Sequence, residues 1–154
     1  MNNQVNNRVT VESDITTIIL TFNEEQHIAR SIKSAEQISK KIYIVDSFST
    51  DKTLDIAKSF NVNIVQNKFI NYSKQYEWAL DNLKIESSWI MRLDADEFLE
   101  DDLINEIKIK LPSISKNIVG INFKRKHIFM DKWIRFGGRY PLILLRLWRN
   151  GFGT

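Results

Sequence analysis

Residues 15–38 read ITTIILTFNEEQHIARSIKSAEQI, and the periodicity of the sequence changes within this stretch. The first seven residues are all apolar or β-branched, as expected for a strand that is buried on both faces of a sheet. From Ile28 to Ile38, apolar residues recur at helical spacing. A buried strand followed by an amphipathic helix predicts a parallel sheet, because helical crossovers join parallel strands. We expect Asn23 to cap the helix, with Gln26 three positions further on.

The strand-and-helix unit recurs along the chain. Short apolar segments predict three more strands, at residues 41–46, 63–66 and 89–93. Helical spacing follows them, at residues 54–60, 73–83 and 101–111. Ser49 or Thr50 is the expected cap of the second helix, and Pro112 ends the fourth. Alternating strands and helices predict an α/β fold in three layers, with helices on both sides of a mainly parallel central sheet.

The pattern loosens after the fourth helix. Residues 118–129 predict a longer strand, residues 136–141 a turn and residues 142–148 another strand. Residues 1–13 are rich in asparagine and are expected to be a flexible lead-in. We expect one domain over residues 14–154.

Composition limits the class of protein. The 154 residues are 43% hydrophobic and contain no cysteine, which suits a globular domain and excludes thiolate metal sites. We find no signal peptide and no apolar run long enough to span a bilayer, so we expect a cytoplasmic protein. Residues 1–115 hold 13 Lys/Arg and 18 Asp/Glu, whereas residues 116–154 hold nine Lys/Arg and one acid, Asp131. The basic end would attract phosphates or anionic lipid head groups.

Polar residues follow three of the predicted strands. Ligands of open parallel sheets bind beyond the carboxyl ends of the strands, so we expect these residues to meet at one edge. The candidate site residues are Thr21, Phe22, Asn23 and Glu24 after the first strand, Asp46 after the second, and Asp94 and Asp96 after the fourth.

Asp94 and Asp96 end the stretch WIMRLDAD. In extended backbone, residues two apart point to the same side, so the two carboxylates can share one hard cation. Mg²⁺ or Mn²⁺ prefers oxygen ligands and is often held by one or two carboxylates together with substrate phosphates. The acidic pair therefore predicts a divalent metal site that a nucleotide diphosphate would complete.

The acidic residues also fit other roles. Acidic residues near helix starts also serve as caps, which applies to the Asp-Ala-Asp triplet and to Asp46. A calcium loop is excluded, because Phe98 and Leu99 stand where an oxygen ligand and the turn glycine belong. A phosphatase with an aspartyl nucleophile would carry its acidic pair after the first strand, whereas here the pair follows the fourth.

Three segments, TTIILTFNEEQHIARSI, IYIVDSFSTDKT and WIMRLDADEF, resemble in order and spacing the nucleotide-sugar half of inverting family-two glycosyltransferases of the GT-A fold. The later segment FGGRYPLILLRLWRNG is similar to part of bacterial lipopolysaccharide-core and related β-glycosyltransferases. The resemblance implies a nucleotide-binding half at residues 14–111 and the start of an acceptor-binding half at residues 112–154. It also implies a UDP-sugar donor, a saccharide or glycolipid acceptor and a role in making cell-envelope polysaccharides.

The resemblance also implies roles for individual residues. Thr21, Asn23 and Glu24 would line the nucleotide pocket. Asp46 would contact the nucleobase, and Asp94 would lie near the ribose or the metal. Asp96 would be the main metal ligand. Gln75 falls where such enzymes place a polar residue near the nucleotide, although the Arg-Asn pair that is common beside it is Tyr76-Glu77 here.

Inversion by direct displacement requires a carboxylate that takes the proton of the acceptor hydroxyl. Glu97 and Asp131 are the two candidates in this chain. In the proteins that it resembles, the base lies just beyond the segment similar to RLWRNG, whereas this chain stops at Thr154. We therefore expect a fold truncated at its C-terminal part, which binds nucleotide and metal but transfers sugar poorly.

Residues 116–149 interleave basic and aromatic side chains. This pattern suits a phosphorylated glycolipid at the inner face of the cytoplasmic membrane, a single-stranded nucleic acid, or a core with solubilising charges around it. Together with the first half of the chain, it favours contact with an acceptor or a membrane surface over nucleic acid. The alternative function is a non-catalytic module that binds a nucleotide sugar or nucleic acid.

Overall fold

The computed structural model describes residues 14–130, 132–138 and 140–152. The strands are β1 (Ile15–Thr21), β2 (Lys41–Asp46), β3 (Asn63–Gln66), β4 (Trp89–Asp94), β5 (Gly120–Arg125), β6 (Ile128–Phe129), β7 (Lys132–Trp133) and β8 (Leu142–Arg149). The helices are α1 (Ile28–Glu36), α2 (Thr53–Ala57), α3 (Tyr72–Asn82) and α4 (Asp101–Lys110), followed by a 3-10 turn, Leu111–Ser113. Within these ranges, no helix has the length and hydropathy that spanning a bilayer requires. The expected lead-in at residues 1–13 lies outside the described residues.

Six strands form one sheet in the order β3-β2-β1-β4-β8-β5, and β6 pairs with β7 in a separate hairpin. Strands β1 to β4 are parallel to one another, whereas β8 runs antiparallel to both of its neighbours, β4 and β5. The prediction of a mainly parallel central sheet is confirmed. The strand predicted at the end of the chain lies inside the sheet and not at its edge.

Helices cover both faces of the sheet and give the expected three layers. Along β1, Ile15 and Ile19 belong to a core shared with α1 and α4, whereas Ile18 and Leu20 belong to a core shared with α3. Successive strand residues point to opposite faces, so a strand that is apolar along its length serves two cores. All seven residues of β1 are buried, which explains its uninterrupted run of apolar and β-branched residues.

The start of α1 differs from the prediction. The helix begins at Ile28 with His27 as its N-cap, so the expected cap at Asn23 is wrong. Asn23 adopts a φ of 53°, and its side-chain oxygen accepts a hydrogen bond from the backbone N–H of Thr50 at 2.8 Å. The polar side chain therefore binds the loop after the next strand and not the first turn of its own helix.

The start of α2 differs in a similar way. This helix begins at Thr53, and neither Ser49 nor Thr50 caps it. The N-cap is Lys52, whose side chain makes no cap hydrogen bond, and Asp51 Oδ1 accepts a hydrogen bond from the Thr53 N–H at 2.9 Å. Ser49 and Thr50 hydrogen-bond instead to groups at the ends of β1 and β2.

The last part of the chain contains shorter strands than predicted, with breaks between them. Residues 118–129 form β5 and β6 with a two-residue break between them, and not one long strand. Gly137 and Gly138 form the expected turn before β8, both with positive φ. β8 pairs with β5 through a register shift beside Asn122, which leaves Arg146 without a cross-strand partner in β5. This irregularity accompanies the entry of the Arg146 side chain into the site described below.

Candidate nucleotide and metal site

The carboxyl ends of β1, β2 and β4 lie side by side at one edge of the sheet. Thr21 is level with Asp46 across the β1–β2 pair, and Leu20 is level with Asp94 across the β1–β4 pair. Three polar segments that are distant in sequence are therefore neighbours in space. Loops converge at this edge of an open parallel sheet, which makes it the position where ligands bind.

Hydrogen bonds tie the loop after β1 to the loop after β2. The Asn23 N–H donates to Ser49 Oγ at 2.9 Å, and Asn23 Oδ1 accepts from the Thr50 N–H. Asn23 and Phe48 have φ values of 53° and 63°. Non-glycine residues adopt this left-handed conformation at an energetic cost, and such residues are frequent at functional sites. The two loops thus hold each other in one arrangement.

The Asp46 side chain is fully buried at the end of β2. Oδ2 accepts hydrogen bonds from the Ser49 N–H and from Gln66 Nε2, both at 2.9 Å, and Oδ1 accepts from the Ser49 hydroxyl. Both carboxylate oxygens are therefore occupied by neighbouring groups of the protein. In this conformation the carboxylate holds the loop after β2.

Gln75 reaches the same edge from α3, where its side chain is buried. Its Oε1 accepts from Asn67 Nδ2 at 2.9 Å, and its Nε2 donates to the Asn67 carbonyl at 3.0 Å and to Ser47 Oγ at 3.2 Å. The amide thus connects the loops after β2 and β3. The residue predicted to lie near a nucleotide is at the strand ends, with its polar atoms bonded to these loops.

Three more predicted residues follow one another closely at the end of β1. Thr21 is buried, and its hydroxyl has no hydrogen-bond partner among the described residues, which is uncommon for a buried polar group. Phe22 is exposed. Glu24 is half-buried, and its Oε2 lies 2.7 Å from Nδ1 of His27. An exposed aromatic ring and an unpaired hydroxyl therefore occur together at this strand end.

Asp94 lies between two guanidinium groups. Its Oδ1 is 3.3 Å from Nη2 of Arg92, and its Oδ2 is 3.2 Å from Nη2 of Arg146, on β8. Arg146 is buried, and a buried guanidinium is tolerated only with carboxylate partners because removing its charge from water is costly. The charge of Asp94 is thus balanced by the protein itself.

Glu97 belongs to the same cluster of ion pairs. Its Oε1 lies 2.5 Å from Nη2 of Arg146 and 3.5 Å from Nη1 of Arg125, and its Oε2 accepts from the Asp94 N–H at 3.2 Å. A general base needs an oxygen that faces the acceptor hydroxyl. These contacts favour a structural role for Glu97 in the turn after β4. Asp131, the other candidate base, lies outside the described residues.

Asp96 is the exposed member of the acidic pair. Among the described residues, no hydrogen bond or ion pair occupies its carboxylate. Asp96 lines a cavity of about 700 Å³ together with Glu97, Arg146, Ile128 and Met130. The cavity therefore has the turn after β4 on one side and the start of the β6–β7 hairpin on the other.

The donor atoms at this edge fit a divalent cation that phosphate oxygens would complete. Within the described ranges, no group of three or more His, Asp or Glu side chains could hold a metal ion alone. Mg²⁺ is commonly bound by one or two carboxylates with waters and substrate phosphates, and Mn²⁺ prefers the same oxygen ligands. Asp96 offers one unpaired carboxylate for such an ion, and Asp94 lies two residues before it.

The arginines of the cluster were not predicted. Arg92 stands two residues before Asp94 in β4, hence on the same side of the strand. Arg146 interrupts the apolar run LILLRLW. A charged residue inside an apolar strand is a signal of a buried ion pair, because an isolated buried charge is expensive. Arg146 contacts these carboxylates because β8 lies beside β4. The periodicity of the sequence does not show which strands are neighbours in the sheet.

Sequence comparisons identify relatives of the chain. Residues 16–144 match the family model described as Glycosyl transferase family 2. The chain is 36% identical over 94 residues to an uncharacterised glycosyltransferase of Rickettsia typhi, an alignment that covers 61% of this chain and 32% of the relative. An uncharacterised glycosyltransferase of Rickettsia bellii is 38% identical over 94 residues, covering 61% of this chain and 31% of the relative. The chain thus spans about a third of the length of these proteins.

Solved structures share the architecture. The mannosyltransferase PcManGT from Pyrobaculum calidifontis, in complex with GDP-Man and Mn²⁺, has a TM-score of 0.57 at 19% identity, covering 73% of this chain and 36% of that chain. Glucosyl-3-phosphoglycerate synthase from Mycobacterium tuberculosis, in complex with Mn²⁺, UDP and phosphoglyceric acid, has a TM-score of 0.57 at 17% identity, covering 69% of this chain and 41% of that chain. At such identities the likeness is evidence for the fold.

Proposed function

Because this chain belongs to glycosyltransferase family 2 and has the GT-A fold, we propose that it binds a nucleotide-diphosphate sugar, with UDP as the nucleotide, and transfers the sugar to a saccharide or glycolipid acceptor. The observation that carries the proposal is the unpaired, exposed carboxylate of Asp96 at the edge where β1, β2 and β4 end. A cation held there would bind the donor diphosphate, while the nucleoside lies against the loops after β1 and β2.

The residues proposed to line the nucleotide site are Thr21, Phe22, Asn23, Glu24 and Asp94. Phe22 and Phe48 are exposed at the strand ends and offer ring faces to a base or ribose. We assign Asp46 and Gln75 to holding the loops in place, since their polar atoms are already bonded within the protein. Loops that are fixed before the ligand arrives lose less entropy on binding, which favours affinity.

The proposed cofactor is Mn²⁺ or Mg²⁺, held mainly by Asp96. Such a cation stabilises the negative charge of the diphosphate as its bond to the sugar breaks. Asp94, held by Arg92 and Arg146, would lie beside the cation or the ribose. The two guanidinium groups also offset the charge of the neighbouring acids, so that the site repels a diphosphate less than the carboxylates of Asp94, Asp96 and Glu97 alone would. The solved relatives in complex with Mn²⁺ and a nucleotide or nucleotide sugar support this assignment.

For the transfer step, we propose inversion at the anomeric carbon by direct displacement, in the synthesis of cell-envelope polysaccharides. The acceptor would occupy the cavity of about 700 Å³ that adjoins Asp96. Its hydroxyl must lose a proton as the new glycosidic bond forms. The contacts of Glu97 assign that residue to positioning the turn, which leaves Asp131 as the candidate base within this chain. We propose a cytoplasmic location, with contact at the inner face of the membrane.

Calorimetric titration of the chain with UDP, in the presence and absence of Mn²⁺, tests the donor site. We expect binding to require the metal. Asp96→Asn keeps the size of the side chain and removes its charge, and we expect it to weaken Mn²⁺-dependent binding of UDP by about 10- to 100-fold. Asp101→Asn is the matched control, because Asp101 is an exposed acid in the first turn of α4 and lies outside the proposed site.

Binding of UDP that is independent of Mn²⁺ and insensitive to Asp96→Asn would refute the metal assignment. Titration with GDP under the same conditions tests the choice of nucleotide, and tighter binding of GDP than of UDP would refute it. Turnover of candidate UDP-sugars with saccharide and glycolipid acceptors tests the transfer step separately. Retention of anomeric configuration in the product would refute direct displacement.

A further inference from the structure

The β6–β7 hairpin carries a concentration of exposed apolar side chains. Ile128 is 50% exposed, Phe129 66%, Met130 80% and Phe136, just after β7, 86%. We call these four residues the hairpin patch. Single exposed apolar residues are normal on soluble proteins, whereas several in one short segment mark a surface that contacts another molecule or a membrane.

The arrangement within the hairpin indicates what kind of partner fits the patch. Ile128 and Phe129 are successive residues of β6, so their side chains point to opposite faces of the hairpin, and both are exposed. A protein partner that docks on one flat face would cover one of them and leave the other in water. An apolar medium that surrounds the tip of the hairpin would cover both.

The charged residues of the hairpin segment are mainly cationic, since Asp131 is its single acid, and this balance fits an anionic bilayer. Lys124, Lys132 and Arg135 are exposed, and Lys132 is directly opposite Phe129 across the β6–β7 pair. The Arg135 guanidinium stacks on Trp133 with 4.2 Å between the guanidinium carbon and the ring centroid. Apolar side chains that are flanked by cations and aromatic rings suit the interfacial region, where head-group charge and acyl chains meet.

The patch also adjoins the proposed active site. Ile128 and Met130 line the same cavity of about 700 Å³ as Asp96. We propose that the hairpin patch inserts between the head groups and acyl chains of an anionic membrane, and that this contact presents a lipid-anchored acceptor to the cavity beside Asp96. The statement about the acceptor rests on the proposed function, whereas membrane contact stands on the hairpin alone.

Flotation of the full chain with vesicles tests membrane contact. We use vesicles of phosphatidylcholine and vesicles of equal parts phosphatidylcholine and phosphatidylglycerol, without nucleotide or metal. We expect partition into the anionic vesicles and weak partition into the neutral ones. The double variant Phe129→Ser, Met130→Ser should reduce partition by about tenfold or more, because it removes apolar area that would leave water. Ile109→Ser is the matched control, since Ile109 is 76% exposed on α4, away from the hairpin.

A charge variant separates electrostatic from apolar contact. Lys132→Gln should reduce partition into the anionic vesicles by about fivefold and leave partition into neutral vesicles unchanged. Lys108→Gln, an exposed lysine on α4, should change neither. Circular dichroism of each variant establishes that the fold is retained, which is expected because all the substituted side chains are exposed.

Several outcomes would overturn the proposal. The proposal is wrong if the wild type and the Phe129→Ser, Met130→Ser double variant partition equally into vesicles. It is also wrong if the wild type self-associates in sedimentation velocity and this variant does not, because a second copy of the chain would then cover the patch. Salt-sensitive binding to a single-stranded oligonucleotide that needs Lys132 but not Phe129, without vesicle binding, would assign the surface to nucleic acid. Vesicle binding by a chain that fails to bind UDP would refute the proposed function and leave the membrane contact standing.

Discussion

The guanidinium of Arg146, on β8, lies 3.2 Å from the carboxylate of Asp94 at the end of β4, although 52 residues separate the two in sequence. The same nitrogen of Arg146 lies 2.5 Å from Glu97. One buried cation therefore connects the last strand of the described fold to the turn that carries Asp96. The position of the exposed carboxylate depends on a residue from a distant part of the chain.

Arg146→Met removes this buried cation and keeps an unbranched side chain. Asp94 and Glu97 would then face each other with fewer cationic partners, and breaking a buried ion pair in this way lowers the free energy of unfolding by about 3 kcal/mol. Urea unfolding measures the loss. We also expect weaker Mn²⁺-dependent binding of UDP, because the turn that carries Asp96 loses the ion pairs that hold it in position.

The control for Arg146→Met is Lys84→Gln. Lys84 pairs with Glu86 at 2.8 Å, and both side chains are exposed. Exposed ion pairs contribute about 0–1 kcal/mol, so this substitution should have little effect on unfolding. A comparable loss in the two variants would contradict the idea that burial makes the Arg146 contacts important.

Tyr76→Phe should not destabilise the protein. Tyr76 is buried in α3, and its hydroxyl has no hydrogen-bond partner within the described part of the chain. Burial raises the pKa of the Tyr76 phenol well above its usual range, so the group stays neutral. Because an unpaired buried hydroxyl is unfavourable, its removal should leave the free energy of unfolding unchanged or raise it by about 1 kcal/mol.

Tyr43→Phe provides the comparison for Tyr76. The Tyr43 hydroxyl donates a hydrogen bond to the Lys84 carbonyl at 2.9 Å, so its removal should cost about 1 kcal/mol. Urea unfolding of both variants under one set of conditions gives the two differences. If Tyr76→Phe cost more than Tyr43→Phe, the Tyr76 hydroxyl would have a partner in solution and the prediction would be wrong.

The carboxyl group of Asp14 makes the free energy of unfolding depend on pH. Its Oδ2 accepts from the Ser88 hydroxyl at 2.6 Å and from the Ser88 N–H at 2.9 Å, just before β1. The hydroxyl contact is the main reason that the pKa of Asp14 is lowered from its ordinary value of 3.8. A carboxyl whose pKa is lower in the folded state stabilises the fold above its unfolded pKa, and this contribution is lost as the pH falls through the folded pKa.

Ser88→Ala should therefore reduce the free energy of unfolding at neutral pH, and its difference from the wild type should shrink as the pH falls below about 3.8. Urea unfolding over a series of pH values measures this. Ser113→Ala is the control, because the Ser113 hydroxyl donates to the backbone carbonyl of Lys110 and to no carboxylate. A Ser88→Ala difference that stays constant into the acidic range would contradict the assignment to Asp14.

Much of the parallel half of the fold could be predicted from the sequence. β1, β2 and β3 have the bounds expected from their apolar runs, and β4 extends one residue beyond its predicted end, to Asp94. A strand buried on both faces, such as β1, is recognisable because every position is apolar or β-branched, and polar residues follow its end. The meeting of those ends at one edge follows from the parallel order of the strands.

The contacts within the site could not be predicted in the same way. Asn23 is predicted to cap its own helix, yet it hydrogen-bonds to Ser49 and Thr50 in the loop after β2. Asp46 bonds locally to Ser49 and also to Gln66, twenty residues further along the chain. Arg146 contacts Asp94 because β8 enters the sheet next to β4. Local periodicity carries no information on which distant segment supplies a partner, so such residues become visible only when the topology is known.

The entry of β8 between β4 and β5 also affects the order in which the molecule can assemble on the ribosome. Strands β1 to β4 are synthesised first and can pair, but β4 remains an open edge until residues 142–149 emerge, because β5 reaches the sheet only through β8. Unpaired strand edges are sites of aggregation in nascent chains. The β4 edge of the described sheet is thus paired later in translation than the strands β1 to β3 that precede it.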